Sequence, residues 1–314
     1  MARKLRIEYG GAIYHVINRG NYRRDLFETV GAAEAFLRVL FEATGRFGWK
    51  IHAYVLMCNH FHLAVETPQP NLVQGMHWLQ STLATRFNRF RKENGHLFQG
   101  RYKALVVQDM AALARLVDYI HLNPVRAKVV QAEQVKGYRW SSLIRFRNGP
   151  RNQAMTAVDW LRARGDWDDC ATGWTAYVAY LESVGRDEAA WERQGLTGLS
   201  RGWAIGTSAW RKVQAEEFSQ LAIAPGLLTE EVVELREAAW AKSLEAGLAA
   251  RGKTRSDLDS MPRKQPWKIE LAKSVRQESG AAIPWLTSQL KIARPATLRG
   301  YLHRYPEPNQ QSTA

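Results

Sequence analysis

Asn59-His60-Phe61-His62-Leu63-Ala64-Val65-Glu66 is the stretch on which the fold turns. Side chains alternate between the two faces of a strand, so Phe61, Leu63 and Val65 enter a core while His60, His62 and Glu66 share the other face. The histidines stand where Thr or Lys would ordinarily sit. They lie about 7 Å apart along the strand, close enough to converge on one metal ion. An isolated His-x-His is short and common, and alone it reads more often as a half-exposed strand with two polar residues. Neither Cys-x-x-Cys nor His-Glu-x-x-His accompanies the pair, which argues against a structural zinc site.

Outward from this strand, residues 50–57 are strand-like and separated from it only by Cys58-Asn59, which predicts a hairpin. Upstream, the β-branched and aromatic run 12–19 between glycines reads as a strand, and 31–47 carries the helical spacing Phe36, Leu37, Leu40, Phe41. Downstream come a long helix over 71–93, a short strand over 103–107, and a helix that begins after the N-cap Asp109. This last helix is expected to stop near Asn123, since Pro124 disfavours helical geometry before it. The order β-α-β-β-α-β-α predicts an α+β fold, a ferredoxin-like antiparallel sheet with helices on one face.

On the last of these helices, Met110, Leu113, Leu116, Val117 and Ile120 form an apolar stripe. Arg115, Tyr119 and Asn123 fall on a different face, one turn apart. A tyrosine there is often only a boundary residue. Its chemical use is as a nucleophile, which needs a nearby cation or base because the phenol pKa is about 10. A metal held by His60 and His62 would polarise a phosphodiester, and the Asn123 amide oxygen could join the same ion.

Taken together, Asn59-His60-Phe61-His62 and Tyr119-Ile120-His121-Leu122-Asn123-Pro124-Val125-Arg126-Ala127 resemble the HUH single-tyrosine transposases. Within that superfamily the chain is similar to the REP-associated tyrosine transposases, a likeness carried also by residues 11–20 and 98–104 and covering about residues 5–147. The resemblance implies the HUH endonuclease fold, with His60, His62 and Asn123 as ligands of Mg²⁺ or Mn²⁺. It implies Tyr119 as the nucleophile that forms a 5′-phosphotyrosine link and frees a 3′-OH for strand transfer. The implied partners are single-stranded DNA hairpins of the REP palindromic type, and the implied state is a monomer with its tyrosine acting in cis. Arg19, Tyr22, Arg23 and Arg24 are candidates for reading the tetranucleotide at the hairpin foot. Arg86, Arg89, Arg101, Lys103 and Arg126 are candidate DNA-backbone contacts, which position a strand without reading it. A replication initiator or relaxase also uses a His-x-His site, but the flanking motifs are less like theirs. The alternative of another class is a non-catalytic, sequence-specific DNA-binding regulator on the same fold.

The charge follows this division. The 314 residues carry a formal net charge of +14. Residues 1–150 hold 22 basic and 10 acidic residues (net +12), 151–260 hold 13 and 17 (net −4), and 261–314 hold 9 and 3 (net +6). A basic bed with aromatics suits backbone tracking and base stacking on single strands. Turn-rich breaks at 148–151 and 261–266 predict three parts: a nuclease domain over 1–150, a Trp-rich helical extension over 151–260, and a helical tail over 261–314. Seven of twelve tryptophans fall in the middle part, where they read as core filling. Arg201-Gly202-Trp203-Ala204-Ile205-Gly206 there is similar to a motif of longer family members, with no role derivable from its residues. The tail is a helix-turn-helix candidate whose last helix carries Arg299. With no apolar run long enough to span a membrane and only Cys58 and Cys170, the chain is expected to be cytoplasmic, reduced and nucleoid-associated, with no membrane partner.

Overall fold

The computed structural model describes residues 7–219, 232–260 and 265–304, which fall into two compact units, one up to Thr207 and one from Ser208. The first unit opens β1 (Ala12–Arg19), α1 (Val30–Phe47), β2 (Lys50–Met57), β3 (His60–Thr67), α2 (Leu72–Arg91), β4 (Lys103–Val107) and α3 (Met110–Arg126). These are the elements and the order that the alternating and helical patterns predict. The fold is α+β, with strand order β2-β3-β1-β4 and every pair antiparallel, as in a ferredoxin-like sheet. Register places His15 opposite Ala64 and Ile17 opposite both His62 and Lys103, so these side chains share one face with His60. Phe61, Leu63 and Val65 line the other face, where Phe61 meets Phe36 of α1 at a ring separation of 4.7 Å.

Local chemistry fixes the ends of the helices. The Thr29 hydroxyl accepts from Ala32 N at 3.2 Å to start α1, and Gly48, at φ 69, ends it. Gly75 lets α2 approach Trp49 so closely that a Cβ there would stand 2.0 Å from the indole ring. Asp109 caps α3 by accepting from Ala112 N at 2.8 Å.

Four details depart from the sequence expectations. First, α3 runs through Pro124 to Arg126. In a last turn a proline removes only one bond, and Ala127 N still donates to Asn123 O at 2.9 Å. Second, helices cover both faces of the sheet: α1 and α2 lie over the Phe61 face, and α3 lies over the histidine face. Third, α3 is buried almost all round from Ala112 to Pro124, so its apolar stripe does not mark its only packed side. The extension supplies the second cover, through α4 (Ser142–Asn148), α5 (Val158–Gly165), α6 (Ala171–Arg186) and α7 (Glu188–Arg193), of which α5 and α6 pack directly on α3. Fourth, the extension is not wholly helical. A two-residue strand, β5 (Ala204–Ile205), pairs in parallel with Val106 and Val107 and makes the sheet five-stranded and mixed.

The second unit is helical: α8 (Ser208–Glu217), α9 (Val233–Ala249), α10 (Arg255–Ser260), α11 (Pro266–Ser279), α12 (Ile283–Gln289) and α13 (Pro295–Arg304). Trp240, Leu244, Leu271, Val275, Leu286 and Leu298 are among its core. The helix pair expected in the tail is present as α12 and α13, with Arg299 exposed on α13. No described helix is long and apolar enough to cross a membrane.

Candidate active site

β1 and β3 bring three imidazoles together beneath α3. The His60 and His62 ring centroids are 5.1 Å apart and nearly perpendicular, and His15 stacks on His62 at 5.1 Å. Tyr119 stands edge-on to both inner rings, 5.6 Å from His62 and 5.7 Å from His15. The Arg126 guanidinium lies over the Tyr119 ring at 5.1 Å, an attractive cation–π placement. Asn123 follows Tyr119 by one turn on the same side of α3 and is buried.

The electrostatics of the cluster come from enclosure. Burial pulls His15 and His60 down to about 4, and pulls His62 well below the ordinary imidazole value, with the neighbouring imidazoles and Arg126 and Arg19 adding to the effect on His62. All three rings are therefore neutral near pH 7, the form in which imidazole binds a metal. His60 Nδ1 donates to Asn59 Oδ1 at 2.8 Å, and His62 Nδ1 is engaged with His15 Nε2 at 2.9 Å. Neither Nε2 atom of the His60–His62 pair hydrogen-bonds to a described residue. The Asn123 side-chain nitrogen is buried with no partner, and the two ends of an amide are interchangeable in such an assignment. Among the described residues no group of three His, Cys, Asp or Glu side chains can hold a metal. What the chain offers is an imidazole pair with open nitrogens and an orphaned amide, a mixed N/O set that fits a divalent ion such as Mg²⁺ or Mn²⁺.

Arg19 and Lys103 share the histidine face by register, opposite His60 and Ile17 respectively, and Arg126 joins them from α3. Tyr22, Arg23 and Arg24 form a tight turn after β1. Tyr22 is 91% exposed, and Tyr22 and Arg23 both hold left-handed backbone, at φ 51 and 58. Gly20 N bonds Asn59 O at 2.8 Å and Asn21 N bonds Leu97 O at 3.0 Å, which braces the turn. Arg24 pairs with Glu93. Beside the turn lies a hollow of about 420 Å³ lined by Asn21, Gln80, Ser81, Leu97, Gln99 and Arg101. Arg89 is exposed on α2. Arg86 is drawn away, gripped by both oxygens of Glu42 on α1 at 2.9 and 2.7 Å. Glu66 is likewise not part of the cluster, because Lys50 and His52 hold its carboxylate at 2.8 and 3.2 Å. Arg299 belongs to the second unit.

His15 is the residue that sequence reasoning misses. Its signal was a lone polar residue inside the β-branched run Ile13–Ile17, where only the register with β3 reveals a third imidazole.

The fold and site together define an α+β domain with a histidine–hydrophobe–histidine strand facing a tyrosine-bearing helix. Residues 9–123 match the family model described as "Transposase IS200 like". Among solved structures, the chain is similar to one described as "Structure of the REP associates tyrosine transposase bound to a REP hairpin". The identity is 19% and the TM-score 0.40, over 46% of this chain and 84% of that one. No curated protein matches.

Proposed function

We propose that the chain is a metal-dependent single-stranded DNA endonuclease and strand transferase that acts on REP-type hairpins through a 5′-phosphotyrosine intermediate. The observation that carries this reading is the seating of Tyr119 against His62, at 5.6 Å between rings, with Asn123 one turn further on, all within one chain. That seating also supports a monomer whose tyrosine acts in cis. The REP assignment rests on the likeness of residues 11–20 and 98–104 to the REP-associated enzymes.

His60, His62 and Asn123 would hold Mg²⁺ or Mn²⁺, which when bound supplies charge neutralisation and polarisation of the scissile phosphate. The protein's own groups do the rest. The Tyr119 oxygen forms a bond to phosphorus as the bond from phosphorus to the 3′ oxygen breaks. The phenol proton is lost to solvent, and the departing 3′ oxygen takes one up. Phosphate stays on the enzyme, so the 3′-OH can reverse the step or a new one can complete transfer. Arg126 over the ring favours developing phenolate charge. Arg19, Lys103 and Arg126 line the histidine face as phosphate contacts, Arg101 stands by the hollow beside the turn, and exposed Arg89 on α2 is a further backbone contact. The Tyr22–Arg24 turn and the hollow beside it would take the unpaired bases at the hairpin foot, with Tyr22 as a stacking surface. Exposed Arg294 just before α13, and Arg299 and His303 on it, form a basic surface suited to duplex DNA.

The test is incubation with hairpin oligonucleotides from DNA flanking the gene, scored for a covalent protein–DNA band. The chain should form the band with Mn²⁺ or Mg²⁺, and Tyr119→Phe should lose it by at least about 10³-fold while still binding the hairpin. Specific binding with no band from the unaltered chain would turn the reading to a DNA-binding regulator.

A further inference from the structure

Leu196–Trp203 is a loop of the extension with no role in the site as described so far. Leu196 and Leu199 are buried, and Arg201 N bonds Gly198 O at 2.8 Å to close a turn that needs glycine at φ 75. The segment that follows is pinned to the sheet edge. Val106 N donates to Trp203 O at 3.1 Å, Gln108 N to Ile205 O at 2.9 Å, and Thr207 N to Gln108 Oε1 at 2.7 Å.

This loop delivers one polar atom to the histidines. The Leu199 carbonyl lies 2.8 Å from Nδ1 of the fully buried His15. A carbonyl only accepts, so His15 carries its proton on Nδ1, and in a neutral imidazole Nε2 is then a lone pair. That lone pair faces His62 Nδ1 at 2.9 Å, so His62 must donate from Nδ1 and keep its own lone pair on Nε2. His60 reaches the same state by a shorter route. Its Nδ1 donates to Asn59 Oδ1, whose amide is oriented by Nδ2 donating to Arg23 O at 3.2 Å. Both histidines thus present Nε2, although different segments set them.

We infer that His15 is a positioning residue: held by the Leu199 carbonyl, it fixes His62 in the Nδ1–H tautomer and keeps the His62 Nε2 lone pair ready for the divalent ion. The loop 196–203 and β5 are accordingly part of the active site, and the Arg201–Gly206 motif serves to anchor them. His15 is not itself a ligand, since its one lone pair is already taken by His62.

This role presupposes the divalent-ion reading of His60 and His62, and the experiment separates the two. Long-range ¹H–¹⁵N spectra of the metal-free full chain should show His15 and His62 protonated at Nδ1 only. A His62 proton on Nε2 overturns the relay. Mn²⁺ affinity, followed by electron paramagnetic resonance, should fall about 10–100-fold in His15→Phe. It should largely return in His15→Gln, whose amide oxygen can accept from His62. Echo-envelope spectra of bound Mn²⁺ should count two imidazoles, and a count of three makes His15 a ligand and overturns the proposal. Unchanged affinity in His15→Phe overturns the relay alone, whereas no Mn²⁺ binding by the unaltered chain overturns the metal reading and the relay with it. Should His15→Phe fail to fold, the spectra of the unaltered chain decide.

Discussion

Imidazoles meet at α3 in two settings, one on the helix and one beneath it, and the settings differ in whether their hydrogen bonds close. His121, on α3 itself, has both nitrogens engaged, by Tyr177 Oη at 2.9 Å and Ser142 Oγ at 2.8 Å. Burial pushes the Asp118 carboxyl up to about 7, and with that group ionised beside Arg164 each proton has one place. Tyr54 N donates to Ser142 Oγ at 2.9 Å, the Ser142 hydroxyl donates to His121 Nε2, His121 Nδ1 donates to Tyr177, and Tyr177 donates to Asp118 Oδ1 at 3.0 Å. Tyr180 and Arg164 complete the Asp118 carboxylate at 3.2 and 2.7 Å. His60 and His62 are equally set at Nδ1 but open at Nε2. A closed network of this kind holds a helix, whereas the pair engaged only at Nδ1 is the one proposed to take the ion. Burial alone does not tell them apart, since it pulls His121 down to about 3 just as it pulls His60 down to about 4.

The hardest way to break the closed side is Arg164→Ala, which leaves the fully buried Asp118 carboxylate without its ion-pair partner. Chemical denaturation should show a loss of about 3–5 kcal/mol. The contrast between the sides is sharpened by a matched pair of variants. His121→Ala orphans Tyr177 and Ser142 and should cost about 2–4 kcal/mol of stability while folded molecules keep their Mn²⁺ affinity. His60→Ala should do the reverse, losing at least about 100-fold in Mn²⁺ affinity with stability changed by less than about 1 kcal/mol. Equal stability losses for the two would erase the distinction. The smallest effect concerns Glu66, on the same strand as the open pair but held by His52 and Lys50, which pull its carboxyl down to about 2. A lowered carboxyl stabilises the fold above its ordinary value near 4.5, and that contribution fades as pH falls towards 2. Unfolding followed across this range should be less pH-dependent in Glu66→Gln, by about 1 kcal/mol at this partly solvated pair.

The β-α-β-β-α-β-α order was legible because apolar residues recur at the strand or helix period along each element, even where, as in β3 and α3, the second face is covered too. The pair His60–His62 and the spacing of Tyr119 and Asn123 were legible for the same reason, since both are relations within one element. What lay hidden were relations between elements. His15 joins the cluster only through the register of β1 against β3. β5 has two residues, too few for any period, and forms because the edge of β4 offers it backbone partners. The second cover on α3 erased the expected contrast between its apolar stripe and the Tyr119 side. His121 lies two residues from Asn123, and only Tyr177 and Ser142, brought in from other helices, show that its imidazole is already satisfied. Arg86 was one basic residue among several until Glu42 claimed it.

The turn after β1 has a bearing on how a strand would be met. Two successive non-glycine residues, Tyr22 and Arg23, stay in left-handed backbone, a state that costs of order 1 kcal/mol or more for each. They hold it because Gly20, where a Cβ would stand 2.2 Å from Arg24 O, and the backbone bonds to Asn59 and Leu97 leave the chain no other course. The exposed Tyr22 ring is thus presented by a backbone already frozen during folding. Were a base to stack there, little backbone ordering entropy would remain to be lost, and only the Tyr22 side chain would still have to settle.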